Sequence, residues 1–366
     1  MRIDAMTQGE RGRARAGVPA TEPTRFERSS PRLFRAKAPL RVSFAGGGTD
    51  VAPFPEREGG TVLSATINRY AYASLAPRDD RKISIESVDF GLSVDYGVDD
   101  DLAFDGRLDL VKAAIKKFGR GGFDLFLHAN APPGSGLGSS SSVMVTLIGV
   151  LKDFHRLSLT DYEIAQMAVT LERTDLGIKG GLQDQYAATF GGFNLLEMDG
   201  ERVIVNPLRM SADVICELEH NMLLCYTGRT RASDRIIDDQ TGRFEGGDVQ
   251  TVDGLRMQKR LAVEMKNALL RRRLNDFGEL LGTAWEFKKR MSPKITTPFI
   301  DAAYEEARRK GALGGKVTGA GGGGYMLFYC PFHLKHKVAD ALIALGATAT
   351  EFEFTHSGLA TWSVDG

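Results

Sequence analysis

One segment constrains this chain more than any other: Asn130-Ala131-Pro132-Pro133-Gly134-Ser135-Gly136-Leu137-Gly138-Ser139-Ser140-Ser141-Ser142. An apolar, strand-like run from Phe123 to His128 leads into it, and an apolar helical run from Val143 to Leu151 leads out. Strand, glycine-rich loop and helix start in succession make an anion site. Gly134, Gly136 and Gly138 carry no Cβ, so the backbone can turn sharply and come close to a ligand. The free N–H groups and positive dipole end of the following helix then face that ligand. The serines add hydroxyls suited to phosphate or a magnesium ion. The phosphate-binding candidates are therefore Gly134, Ser135, Gly136, Gly138, Ser139, Ser140 and Ser141. Other phosphate loops fit less well. No lysine follows Gly138, as a P-loop requires. Ser139 stands where a dinucleotide fingerprint needs its third glycine.

The length, 366 residues, suggests two domains. The 47 basic and 47 acidic residues cancel, which argues against nucleic acid as the main partner. Cys216, Cys225 and Cys330 are odd in number and match no zinc spacing, so a reduced, cytoplasmic setting is the simplest reading. The six histidines form no metal-binding pattern, and the longest nearly unbroken apolar run, Val143 to Leu151, is too short to span a bilayer. No membrane partner is expected, and the chain is expected to be a monomer or homodimer. Residues 1–36 are arginine-rich and lack apolar periodicity; through Lys37 there are nine basic against four acidic side chains. No apolar run follows, so this is not a secretory signal, and it reads as a flexible basic arm.

Ordered sequence is expected to begin near Ala38. Strands are expected at 39–44, 61–75, 82–94, 123–128 and 193–198, and helices at 108–118, 143–151 and 184–189. Thr160-Asp161-Tyr162-Glu163 is a capping box that opens another helix. Residues 37–211 form a first unit and 212–366 a second. The second is expected to hold a strand at 222–227, helices at 253–273, 276–290, 297–310 and 334–345, a strand–turn–strand at 316–329, and terminal strands at 350–355 and 359–364. Strands and helices without strict alternation indicate an α+β architecture.

Two more glycine-rich segments flank the serine loop: Pro39-Leu40-Arg41-Val42-Ser43-Phe44-Ala45-Gly46-Gly47-Gly48-Thr49-Asp50, and Lys316-Val317-Thr318-Gly319-Ala320-Gly321-Gly322-Gly323-Gly324-Tyr325. The three in this order resemble the GHMP kinase superfamily over about residues 37–366. The resemblance implies an S5-like N-terminal domain, a ferredoxin-like C-terminal domain, and transfer of the γ-phosphoryl group of ATP to a small-molecule acceptor, with Mg2+.

The resemblance also implies roles. Asp184, in Gly180-Gly181-Leu182-Gln183-Asp184-Gln185-Tyr186, matches the catalytic aspartate that meets the acceptor hydroxyl. Arg41 matches an arginine that offsets charge near the acceptor and γ-phosphate. Glu172, twelve residues before Asp184, matches the metal-binding glutamate, with Ser140 as the loop serine on the same ion. The alternative for Glu172 is an ion pair with a neighbouring arginine. Asp50, Gly47, Gly48, Thr49, Gly321 and Gly322 fall at substrate-binding positions.

Galactokinases carry Glu-His where Gly47 and Gly48 stand, which puts galactose in doubt. The Gly-Gly-Gly-Thr-Asp form, with Thr227-Gly228-Arg229-Thr230-Arg231, is similar to kinases of D-glycero-α-D-manno-heptose 7-phosphate. Leu182 departs from the lysine expected in many relatives. This implies phosphorylation of the anomeric hydroxyl of a phosphorylated heptose to the 1,7-bisphosphate, for GDP-heptose and surface polysaccharide synthesis. A second anion site is then needed. Arg229 and Arg231 are the leading candidates, because guanidinium forks suit phosphate. Lys179, Lys288 and Lys289 stand in reserve, the last two read first as solvated surface charges. The alternatives are another sugar 1-kinase acting on a neutral sugar such as L-fucose, or, in a different class, a non-catalytic sugar sensor on the same fold. The intact set of Asp184, Glu172 and Ser140 weighs against the sensor.

Overall fold

A computed structural model describes residues 32–365, apart from 90, 120, 201, 231 and 232. In chain order the first half holds β1 (Leu33–Ala45), α1 (Phe54–Glu58), β2 (Gly60–Pro77), β3 (Lys82–Ser87), β4 (Leu92–Gly97), α2 (Asp109–Phe118), β5 (Phe123–Ala129), α3 (Ser139–Phe154) and α4 (Asp161–Val169). A π-helical turn (Thr170–Asp175), α5 (Gln183–Phe190), β6 (Phe193–Asp199) and β7 (Arg202–Pro207) complete it. The second half holds α6 (Ala212–Asn221), β8 (Met222–Tyr226), α7 (Asp234–Glu245), α8 (Val249–Leu270), α9 (Leu274–Met291), α10 (Pro298–Arg309), β9 (Gly314–Val317), β10 (Tyr325–Tyr329), α11 (Phe332–Ala344), β11 (Thr348–Thr350) and β12 (Ala360–Val364).

The strands form two sheets. The larger runs β12-β1-β2-β5-β3-β4, with β6 on the far part of β2 and β7 beyond it; the smaller runs β11-β8-β10-β9. The α+β expectation therefore holds. The capping box holds too: Thr160 accepts from Glu163 N–H, and Glu163 accepts from Thr160 N–H. Helix α3 starts four residues earlier than predicted, because Ser139 to Ser142 are its first turn. Serine propensity did not decide this, since Ser139, Ser141 and Ser142 are all buried.

Packing makes one body of the two halves. One core lies under the first sheet against α2 and α3, built on Leu125, Ile148 and Leu151. Another fills the second half, around Trp285 and Phe328. A third joins them, placing Phe44 and Leu63 of the first sheet against Met265, Phe277 and Leu281 of α8 and α9. The ring of Phe44 lies 5.2 Å from Phe277 and 6.2 Å from Phe193, so one side chain ties β1 to both halves.

Two sequence boundaries shift. β1 begins at Leu33, inside the segment read as an arm, because Leu33 to Lys37 pair with β12 and Phe34 to Lys37 with β2. The last strand, β12, lies in the first sheet rather than the second. The rest of the arm, residues 1–31, lies outside the described residues. Removing residues through 37 is thus expected to lower the melting temperature, because it deletes the part of β1 that pairs with β12 on one side and β2 on the other. Removing only residues through 31 takes away none of the described pairing. Melting curves of the two truncations check this: equal midpoints would show that the β1–β12 pairing contributes nothing.

Candidate active site

Gly138 ends the serine loop in left-handed backbone, at φ 75°, and α3 starts at the next residue with no side chain capping it. The helix start thus opens on a cleft of about 190 Å³, with Gly134, Gly136 and Gly138 to Ser141 along its wall. The third glycine segment braces this loop from behind. Thr318 Oγ1 donates to the Gly136 carbonyl at 3.0 Å, and Tyr325 N–H donates to the Ser135 carbonyl at 2.9 Å. The backbones meet so closely that a Cβ on Gly319 would sit 2.6 Å from Gly136 Cα, and one on Gly324 2.3 Å from Ser135 O. Glycine is needed there for contact between backbones.

Across the loop stands Asp184, in the first turn of α5. Arg41 of β1 holds it. Its Nε donates to Asp184 Oδ1 at 2.6 Å, its Nη2 is 2.6 Å from the same oxygen, and its Nη1 donates to the Gly136 carbonyl at 2.6 Å. Arg41 is buried, so carboxylate and serine loop are locked in one geometry. Beside them, Glu172 lies on the π-helical turn, where an extra residue per turn redirects a side chain. It is 1% exposed. It accepts from Ser140 Oγ at 3.0 Å and from Gln185 Nε2. It has no ion pair among the described residues. The adjacent Arg173 instead donates to the carbonyls of Gly181 and Ile178, bracing the turn before α5.

Another wall of the cleft is built from the first glycine segment. Asp50 is buried and accepts from Gly48 N–H at 2.9 Å and from Gln183, through its N–H at 3.2 Å and Nε2 at 2.9 Å. Gly181 packs against this carboxylate so tightly that a Cβ there would lie 1.8 Å from Asp50 Oδ2. Lys288 of α9 and Lys316 of β9 complete this side, and both are buried. Lys316 Nζ donates to the Ser43 carbonyl at 2.6 Å. Burial pulls the Lys288 ammonium down to about 8, the Asp50 charge opposing that and the Arg41 charge adding to it. Burial, then the charges of Lys288 and Arg41, pull Lys316 well below the usual lysine range.

The cleft gathers most of the residues singled out from sequence: Arg41, Asp184, Glu172, Asp50, Gly47, Gly48 and Gly321 all face it. Others do not. The Ser135 side chain is buried away from it without a partner. Thr49 turns inward, donating to the Gly46 carbonyl and accepting from Thr61 N–H, so it closes the loop onto β2. Gly322 spends its N–H on the Ile295 carbonyl at 2.7 Å. Arg229 is exposed and does not reach the cleft; its carbonyl serves Gly324 N–H. Arg231 lies outside the described residues. Of the reserve lysines, Lys179 is at the rim but paired with Asp238, and Lys289 pairs with Glu286 at 3.0 Å. Lys288, read first as a surface charge, is instead in the cleft wall. The sequence reading missed Lys316, Gln183, Gln185 and Ser43.

Lys288 gives a signed pH expectation. Its folded-state value of about 8 lies below the ordinary 10.5, so the fold disfavours its proton. Below pH 8 the penalty is full; between about pH 8 and 10.5 the unfolded chain binds more protons, and stability at this site rises with pH. Lys288→Met is therefore expected to melt above wild type at pH 7, with the gap closing as pH rises through that window. A gap that widens with pH would reverse the assignment.

A phosphate loop at a helix start, faced by an arginine-held carboxylate across a small polar cleft, is the working arrangement of a small-molecule phosphotransferase. Residues 109–192 match the GHMP kinases N terminal domain, and residues 265–348 the GHMP kinases C terminal domain. The chain belongs to the GHMP kinase family. It is 37% identical over 340 residues to the D-glycero-alpha-D-manno-heptose 7-phosphate kinase of Campylobacter jejuni, covering 91% of this chain and all of that one. It is 29% identical to the L-fucokinase/L-fucose-1-P guanylyltransferase of Bacteroides fragilis, over 81% of this chain but 34% of that protein. The crystal structure of a D-glycero-D-manno-heptose 1-phosphate kinase from Bacteriodes thetaiotaomicron superposes with TM-score 0.76 at 34% identity, covering 90% of this chain and 99% of that one.

Proposed function

We propose that this protein transfers the γ-phosphoryl group of ATP to the anomeric hydroxyl of D-glycero-α-D-manno-heptose 7-phosphate. The observation that carries the reading is the Arg41–Asp184 pair fixed against the serine loop, in a chain alike along nearly its whole length to a heptose 7-phosphate kinase. The acceptor oxygen forms a bond to the γ-phosphorus, the bond from that phosphorus to the β–γ bridging oxygen breaks, and ADP leaves. Asp184 accepts the hydrogen bond of the acceptor hydroxyl, aims its oxygen and takes its proton. Arg41 fixes Asp184 and adds positive charge where the transferred group becomes most negative. The start of α3 holds the phosphates of the nucleotide.

The residues fit a magnesium ion. Glu172 is a buried carboxylate with no basic partner among the described residues, and such a charge calls for a cation. Glu172 and Ser140 would hold it, and bound there it would offset charge on the phosphate oxygens. Asp50 and the Gly47–Gly48 backbone bind the sugar. No helix of the described residues is long and apolar enough to cross a membrane, and the three cysteines are free, in keeping with a cytoplasmic site of action.

The test is an ATP-consumption assay with the heptose 7-phosphate, the free heptose and L-fucose side by side. Preferred turnover of the phosphorylated heptose supports the proposal. Preference for a free sugar makes this a neutral-sugar kinase, and absence of turnover with all three removes the heptose reading.

A further inference from the structure

A phosphate already carried by the acceptor requires a cation; Arg229 does not line the cleft, and Arg231 lies outside the described residues. The cleft itself supplies one. Lys288 is 4% exposed, yet its ammonium makes no hydrogen bond or ion pair among the described residues. A buried ammonium without a partner is costly, so its position is explained by what enters the cleft. One neutral donor beside it is also unsatisfied: Ser43 Oγ is buried and has no hydrogen-bond partner. The Gln183 amide nitrogen gives one hydrogen to Asp50 Oδ2 and keeps a second to donate. All three residues ring one point. A Cβ placed on Gly47 would lie 3.5 Å from Ser43 Oγ, 3.7 Å from Gln183 Nε2 and 3.9 Å from Lys288 Nζ. The absent side chain of Gly47 leaves a small space walled by an ammonium, a hydroxyl and an amide.

We infer that Lys288, with Ser43 and Gln183, forms the subsite that holds the phosphate of the acceptor over Gly47, and so selects a phosphorylated sugar over a free one. This rests on the reading of the acceptor as a sugar phosphate. Two other duties for Lys288 fit less well. It is not the structural partner of Asp50, because that carboxylate already accepts three hydrogen bonds and forms no ion pair with Lys288 within 4.0 Å. It is not part of the nucleotide site, because its near neighbour is Gly47 of the acceptor segment and not the serine loop. The charges of Arg41 and Asp50 both act on Lys288, in opposite senses, and the charges of Lys288 and Arg41 act on Lys316, so this corner of the cleft gathers more basic than acidic side chains.

Two variants of the full-length chain test this by steady-state kinetics, each with the heptose 7-phosphate and the free heptose at saturating ATP. Lys288→Met keeps the bulk and removes the charge. Gly47→Asp keeps Lys288 and sets a carboxylate against it; the nearest contacts of its Cβ, at 3.5 Å or beyond, are ordinary, so this variant is expected to fold. In both, the ratio of kcat/KM for phosphorylated over free heptose is expected to fall roughly ten- to hundredfold, the value of hydrogen bonds to a charged group. If wild type prefers the phosphate and both variants keep that preference, the subsite is wrong while the proposed reaction stands. A rise in KM for ATP, with the preference intact, likewise overturns it and moves Lys288 to the nucleotide. If wild type prefers the free heptose, the reaction itself is misassigned and the subsite falls with it.

Discussion

Asp184→Asn is expected to lower kcat by ~10²–10⁴-fold, the span usually carried by a positioned general acid or base, while ATP binding survives. Asparagine keeps the shape and the oxygen that Arg41 bonds. It loses the anion proposed to take the acceptor proton. In the proposed reading, nucleotide binding depends on the start of α3 and on the contacts of Thr318 and Tyr325 with the loop, none of which uses Asp184. Arg41 would still donate to the Gly136 carbonyl, so the loop stays anchored. The substitution does leave a buried guanidinium without its counter-charge, and a lowered melting temperature is expected alongside the rate loss. The two effects separate when kcat is measured well below the melting range and ATP affinity is measured independently. An Asn variant that keeps most of its kcat would exclude Asp184 from the chemistry.

What the sequence revealed was what depends on near neighbours. The serine loop, the capping box at Thr160 and the extent of the long helices α8 and α9 are local, and they came out where expected or within a few residues. The contact between Arg41 and Asp184 was approachable only through motif resemblance, since 143 positions separate them. Burial of single charges was the hardest to read. Lys288 and Lys289 are adjacent and alike on paper, but neighbours on a helix point about 100° apart. Lys289 is half-buried, its ammonium 5.8 Å from the ring centres of Trp285 and Tyr304 and paired with Glu286, whereas Lys288 is buried in the cleft wall. A signal existed: Lys288 falls in step with Phe277, Leu281, Ala284 and Met291, the buried stripe of α9. A lysine on an apolar stripe marks either a misread phase or a charge with a purpose. Lys316 gave no such signal, because every residue of β9 is buried and strand alternation carries no information there. Arg229 failed for the opposite reason. Its sequence neighbourhood matched, but the chain uses its carbonyl to receive the third glycine turn and leaves the guanidinium outside.

Glu172→Gln is expected to lower kcat/KM by ~10²–10³-fold, comparable to loss of one charge-stabilising group in a closed site. It is also expected to raise the Mg2+ concentration needed for half-maximal rate. Ser140 and Gln185 satisfy the hydrogen bonds of the Glu172 carboxylate, so a purely structural polar knot would be nearly complete with a glutamine in its place. What they do not supply is positive charge, and a carboxylate this deeply buried carries a desolvation cost that only a cation offsets. The neutral variant should therefore melt no lower than wild type when metal and nucleotide are absent. It should gain less than wild type when Mg2+ and ATP are added together, because the ligand-linked stabilisation follows the affinity of the site. A structural role makes the opposite pattern: a lower melting temperature without ligands, and an unchanged Mg2+ requirement in what activity remains. The rate and the melting curve thus answer independently. Agreement of both with the first pattern assigns the metal to Glu172, and an unchanged Mg2+ dependence removes it from the site.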